Sequence, residues 1–169
     1  MASDKTRIIR DRKIVDDDWT SIADDAALPS SGRVIFSLKR WQEVRDTLNT
    51  GDVVAGVRIP NTADVVALWA ELEDRPLIAV EVPIFGDGRA YSQARVLRER
   101  FGYKGEIRAV GDVLRDQIFF MQRCGINAMA PRADQDLAGC LAAFGEFTTP
   151  YQGAADQQIS ILQRRRAGT

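Results

Sequence analysis

Residues 85–100, FGDGRAYSQARVLRER, place Gly86, Asp87, Gly88 and Arg89 where an apolar run gives way to a helical pattern. The chemistry such residues support is anion capture. Two glycines free the backbone to take positive φ and to approach a ligand closely, and the helix start that follows offers unpaired N–H groups at a positive dipole end. Arg89 adds a two-pronged guanidinium suited to phosphate, sulfate or carboxylate. As a dinucleotide fingerprint the stretch is incomplete: Tyr91 stands where the third glycine belongs, and the loop follows the third strand pattern rather than the first. No Gly-Lys-Ser/Thr phosphate loop occurs either. The alternatives are an anion cradle and a turn that starts a helix well. Asp87 and Tyr91 are the local acid–base candidates, with no histidine to tune them.

Similar equipment recurs along the chain. Ser37, Lys39 and Arg40, then Arg58 and Asn61, then Glu81, then Arg108, Gly111, Asp112 and Arg115, then Arg132 and Asp134, all lie within or just after short apolar runs. Brought to one edge, these cations would form a local anion-attracting rim. The alternative is that the arginines pair with Glu81, Asp87, Asp112 and Asp134 in a surface network.

The chain as a whole exerts no such pull, because 23 Lys and Arg face 24 Asp and Glu, for a net charge of -1. Neither nucleic acid nor a membrane surface is an expected partner. The absence of histidine from all 169 residues excludes Ser-His and Cys-His nucleophile pairs, histidine bases and histidine metal ligands within this chain. Cys124 and Cys140 are too few for an iron–sulfur cluster or a four-thiolate zinc site. Both sit among apolar residues and read as small buried side chains, with a disulfide or redox role as the alternative. No metal site is expected, the catalytic residues and the cofactor are unknown, and a flavin needs no fingerprint to bind. No run approaches the roughly 20 apolar residues of a membrane span, and MASDKTRIIR lacks the apolar core of a signal peptide, so the cytoplasm is the expected compartment.

The elements that must position these residues alternate. Strand patterns occupy Arg33–Leu38, Val53–Ile59, Pro76–Val82, Glu106–Val110 and, more weakly, Asn127–Pro131. Between them run helical stripes: Trp41, Val44 and Leu48; Val65, Leu68, Trp69 and Leu72; Ala90, Ala94, Leu97 and Phe101. Leu114, Ile118 and Met121 follow, opened by Asp112 as N-cap and closed by Gly125, and Leu137, Leu141 and Phe144 complete the set. About five βα units in succession predict an α/β fold with a parallel sheet, either open and doubly wound or a half-barrel. The carboxyl edge of such a sheet is where ligands bind, and these cations are expected to gather there. A single domain over residues 1–150 is expected, with a small hairpin at 7–19 turning at Asp11 and Arg12, a βα body at 33–147, and a polar tail from 151 to 169.

The stretch DGRAYSQARVLRERFGYKGEIRAVGDVLRDQIFFMQRCGINA, residues 87–128, resembles the signature block of a bacterial family of unknown function. The upstream DDDW at 16–19 and GVRIPN at 56–61 fit that family too, so the resemblance runs from the N-terminal hairpin through the fifth helix. The family's genes commonly lie beside that of assimilatory sulfite reductase and its members often carry an oxidoreductase label, which implies a link to sulfur assimilation and names no catalytic residue. Asp87, Arg89, Tyr91, Ser92, Arg95, Gly111, Asp112, Arg115, Asp116 and Gln117 carry over as motif positions only.

Sulfite reduction proceeds through sirohaem and an iron–sulfur cluster, which two cysteines and no histidine cannot hold, so this chain is not itself the reductase. The first expectation is a non-catalytic accessory protein that contacts sulfite reductase or its electron donor, its arginine rim meeting an acidic surface. The second is a small enzyme or carrier for an anionic sulfur metabolite, nucleotide or flavin phosphate. Its site would comprise Arg58, Glu81, Gly86, Asp87, Gly88, Arg89, Tyr91, Ser92, Arg108, Asp112 and Arg115, with the arginines as clamps. A homodimer suits either, because Ile118–Met121 is apolar over more than one helix face.

Overall fold

Aliphatic runs bounded by Gly, Pro and Asp form the strands, and the stripes between them form the helices. The computed structural model of the chain describes residues 6–48, 51–146, 154–155 and 165. An N-terminal hairpin, β1 (Arg7–Arg10) and β2 (Lys13–Asp16), turns at Asp11 and Arg12, both with positive φ. Two consecutive left-handed residues match the twist of the flanking strands. A short strand β3 (Thr20–Ser21) follows. The βα units then run β4 (Gly32–Ser37), α1 (Leu38–Val44), β5 (Val53–Ile59), α2 (Trp69–Leu72), β6 (Leu77–Val82), α3 (Arg89–Arg95), β7 (Glu106–Gly111), α4 (Ile118–Arg123), β8 (Ala128–Met129) and α5 (Leu137–Ala142). A π-helical turn, Val96–Arg100, extends α3, and a 3-10 turn, Arg115–Gln117, leads into α4.

Among the described residues the sheet has eight strands in the order β2-β1-β8-β7-β6-β5-β4-β3, curled into a half-barrel. It exceeds the five expected strands because both edges are extended. The hairpin pairs antiparallel with β8, Ile9 opposite Met129, and β3 pairs parallel with β4, Thr20 opposite Val34. The hairpin is thus part of the sheet. From β4 to β8 the strands lie in chain order, so every right-handed crossover steps the same way and the helices share one face. A doubly wound sheet would reverse direction and carry helices on both faces. The tail expected from 151 falls almost wholly outside the described residues.

Strand alternation divides the apolar residues between two layers. Phe36, Val57, Ile59, Ile78, Val80, Ile107 and Met129 join Trp41, Leu72, Ala94, Leu97, Ile118 and Met121 from the helices in the main core. On the opposite, inner face, Ile35, Leu77 and Ala79 pack beneath Trp19. A Cβ on Gly56 would stand 3.0 Å from the Trp19 ring and from Leu77, so only glycine admits the indole there. The DDDW segment crosses the inner face as a strap. Asp17 accepts from Arg108 Nη1 at 2.9 and 3.0 Å, Glu106 accepts from Arg108 Nε at 2.7 Å, and Asp18 takes Arg33 at 2.8 Å.

Arg108 is therefore not a rim residue. It lies in the middle of β7, opposite Ala79 and Ala128, and is 1% exposed. Those two small neighbours make room for its guanidinium, and the strap supplies the charge that a buried cation requires.

Candidate functional site

The remaining chemically equipped residues assemble at the carboxyl ends of the strands, the mouth of the half-barrel. β4 ends at Ser37, which caps α1 by accepting from the Arg40 N–H at 3.1 Å and donates its hydroxyl proton to Asp24 at 2.6 Å. Arg58, the register partner of Ser37 on β5, places its Nε 3.0 Å from Glu81 on β6. These residues and Lys39 line an open pocket of about 290 Å³.

The GDGR loop is built around its own anion. The Asp87 carboxylate accepts from the Arg89 backbone N–H at 3.1 Å, from Arg89 Nε at 3.0 Å and Nη2 at 2.6 Å, and from Asn61 Nδ2 at 2.5 Å. The Arg89 guanidinium holds this carboxyl down at about 2. Neither Gly86 nor Gly88 has positive φ, Gly88 sitting at −84°, and a Cβ on either would meet nothing closer than 3.8 Å. The loop is thus a turn and a helix start whose cradle Asp87 itself fills.

The other rim arginines are engaged in the same way. Arg132 forks onto Asp134 at 2.7 and 2.8 Å and reaches Asp112 at 2.7 Å, and its hydrogen bonds hold the Asp134 carboxyl at about 2. Arg115 bonds the Gly139 carbonyl and pairs with Glu146, so it anchors α5 rather than facing the mouth. Asp112 is not a helix cap. The helical turn opens at Arg115, and Gln117 Oε1 accepts from the Leu114 N–H at 3.0 Å. Asp112 follows Gly111, whose φ is +100° and whose absent Cβ would lie 2.5 Å from the Val82 carbonyl oxygen, a place only glycine fits.

Tyr91 packs edge-on against Phe120 at 5.4 Å, and burial, with Cys124 and Asp116 nearby, raises its phenol above the ordinary range. Ser92 lines a separate groove with Arg95 and Glu99. The two local acid–base candidates are thus displaced in opposite directions, Asp87 toward a weaker base and Tyr91 toward a weaker acid, away from the near-neutral values that proton transfer favours. Cys124 and Cys140 are buried and not disulfide-bonded. Among the described residues no group of three or more Cys, Asp and Glu is placed to hold a metal ion.

Sequence reasoning missed two features of this face. Asp24, from the connection ahead of β4, enters the pocket only through Ser37. Ile84 and Phe85 are 63% and 54% exposed, and Gln117 Nε2 holds the Phe85 carbonyl at 3.2 Å, beside the α4 that carries Phe120, 53% exposed. The signal was present as PIFGDG, an apolar pair stranded between a proline and a glycine turn.

Fold and face together define a mainly parallel α/β half-barrel whose mouth carries internally paired charges and exposed apolar side chains. The chain belongs to DUF934, a family described as a bacterial protein of unknown function, whose model matches residues 56–162. The match opens at the GVRIPN element, so the hairpin, the DDDW strap and β4 precede it, and it extends past α5. No curated protein and no solved structure matches the chain.

Proposed function

We propose that this protein is a non-catalytic accessory component of sulfite reduction, docking by the mouth side of its half-barrel on sulfite reductase or on the reductase's electron donor. The observation that carries the docking is how the rim is arranged. Arg89 and Arg132 are bonded to carboxylates of their own chain, while Ile84, Phe85 and Phe120 stand open to solvent. Exposed apolar side chains beside self-neutralised charges have the composition of a protein interface. The link to sulfite reduction rests on the resemblance of the 87–128 block. Co-elution of the purified chain with the reductase or its donor on size exclusion tests the reading. A complex is expected, weakened at least tenfold by Phe85→Ala together with Phe120→Ala; no complex with either protein, or turnover of a small substrate by the chain alone, would overturn it.

The carrier reading keeps one observation in its favour. Lys39 makes no ion pair among the described residues, and the Nη groups of Arg58, which pairs with Glu81, make no hydrogen bond among them, so the pocket beside the interface retains binding capacity of its own.

A further inference from the structure

The pocket between the ends of β4, β5 and β6 differs from the rest of the rim in leaving charge unspent. The Arg58–Glu81 ion pair closes between Nε and Oε1 at 3.0 Å, and neither the Nη groups of Arg58 nor the second oxygen of Glu81 makes a hydrogen bond among the described residues. Lys39 contributes a second cation, and Asp24, held by the Ser37 hydroxyl through one oxygen, a second carboxylate. Two positive and two negative groups thus surround one space of about 290 Å³, and the charges of the site sum to zero.

We propose that this pocket binds a small zwitterion of the α-amino acid class. A lone anion drawn to Lys39 and Arg58 would also meet Asp24 and Glu81, and a lone cation would meet the converse. A ligand that carries both charges on adjacent atoms satisfies both pairs. The free Nη edge of Arg58 presents two parallel N–H donors, the match for a planar carboxylate, and Lys39 adds a point charge to the same end. The open oxygen of Glu81, with Asp24, receives the ammonium. The volume lies near the lower limit of small-molecule sites, roughly 300 to 1,000 Å³, which suits a single amino acid and is too small for a dinucleotide. Pro60 lends the apolar wall against which a short side chain rests.

The experiment is calorimetric titration of the full chain, in an amine-free buffer, with each of the common L-amino acids. Propionate, ethylamine and sulfate serve as one-charge probes. At least one amino acid is expected to bind saturably and at least tenfold more tightly than any of the three. Lys39→Ala, which removes an exposed side chain without an ion-pair partner and so leaves the fold intact, weakens that binding at least fivefold. Glu81→Gln erases the preference for the amino acid over propionate. The proposal is overturned if no amino acid binds, if sulfate or propionate binds as tightly, or if Lys39→Ala has no effect. The titration uses the chain alone, so its failure leaves the docking reading untouched, and failure to dock leaves the pocket untouched.

Discussion

The Asp87 carboxylate accepts from the Arg89 backbone, the Arg89 side chain and Asn61, and thereby engages donors that an external anion would use. Its low pKa and that of Asp134 have a consequence for stability. Both carboxyls are held at about 2 in the folded chain against an ordinary 3.8, so in that window the unfolded chain binds the more protons. Stability therefore rises with pH there, and the contribution is fully present above it. Acidification from pH 5 to pH 3 is expected to lower the thermal midpoint, and Asp87→Asn with Asp134→Asn to flatten that fall while lowering the midpoint at neutral pH. Parallel melting curves for variant and parent would contradict this. The types of the rim residues were legible in the sequence; their partners were legible only where both lie in one loop, as with Asp87 and Arg89. Arg108 was misplaced because its burial depends on Asp17, 91 positions away, and on the small size of Ala79 and Ala128.

Elements were read well where the pattern is local. Val53–Ile59, seven residues of mostly β-branched sequence, is strand β5 with the expected bounds, and the Asp11–Arg12 turn is the expected hairpin. The stripe from Val65 to Leu72 shrinks to Trp69–Leu72 because Asp64 accepts from the Val66 and Ala67 N–H groups and spends the preceding residues on a turn. Pairing of β1 with β8 joins Ile9 to Met129 across the whole chain, and no local periodicity encodes that register. The strap is the element whose energetics are most exposed to test. Removing the Arg108 guanidinium leaves the largely buried Asp17 without its cation, while Glu106 keeps Arg10 at 3.4 Å, and Arg108→Ala is expected to cost about 3–5 kcal/mol. Urea denaturation measures this, and a loss below about 1 kcal/mol would show that the strap does not close the inner face.

At the scale of the whole molecule, one-directional crossovers put α1 to α5 on the outer face, and the strap packs on the inner face. The mouth is left as the surface on which loops, exposed apolar side chains and the pocket converge. This arrangement separates what holds the fold from what is free to meet a partner. The rim carboxylates and arginines neutralise one another, so salt should affect the docking rate less than Ile84, Phe85 and Phe120 affect the lifetime of the complex. Amide hydrogen exchange of the chain, alone and with sulfite reductase or its electron donor, is the most direct measurement. The account predicts slowed exchange over residues 84–91 and 118–121 in the complex and unchanged exchange in the hairpin of β1 and β2. Protection confined to the hairpin, or none anywhere, would contradict it.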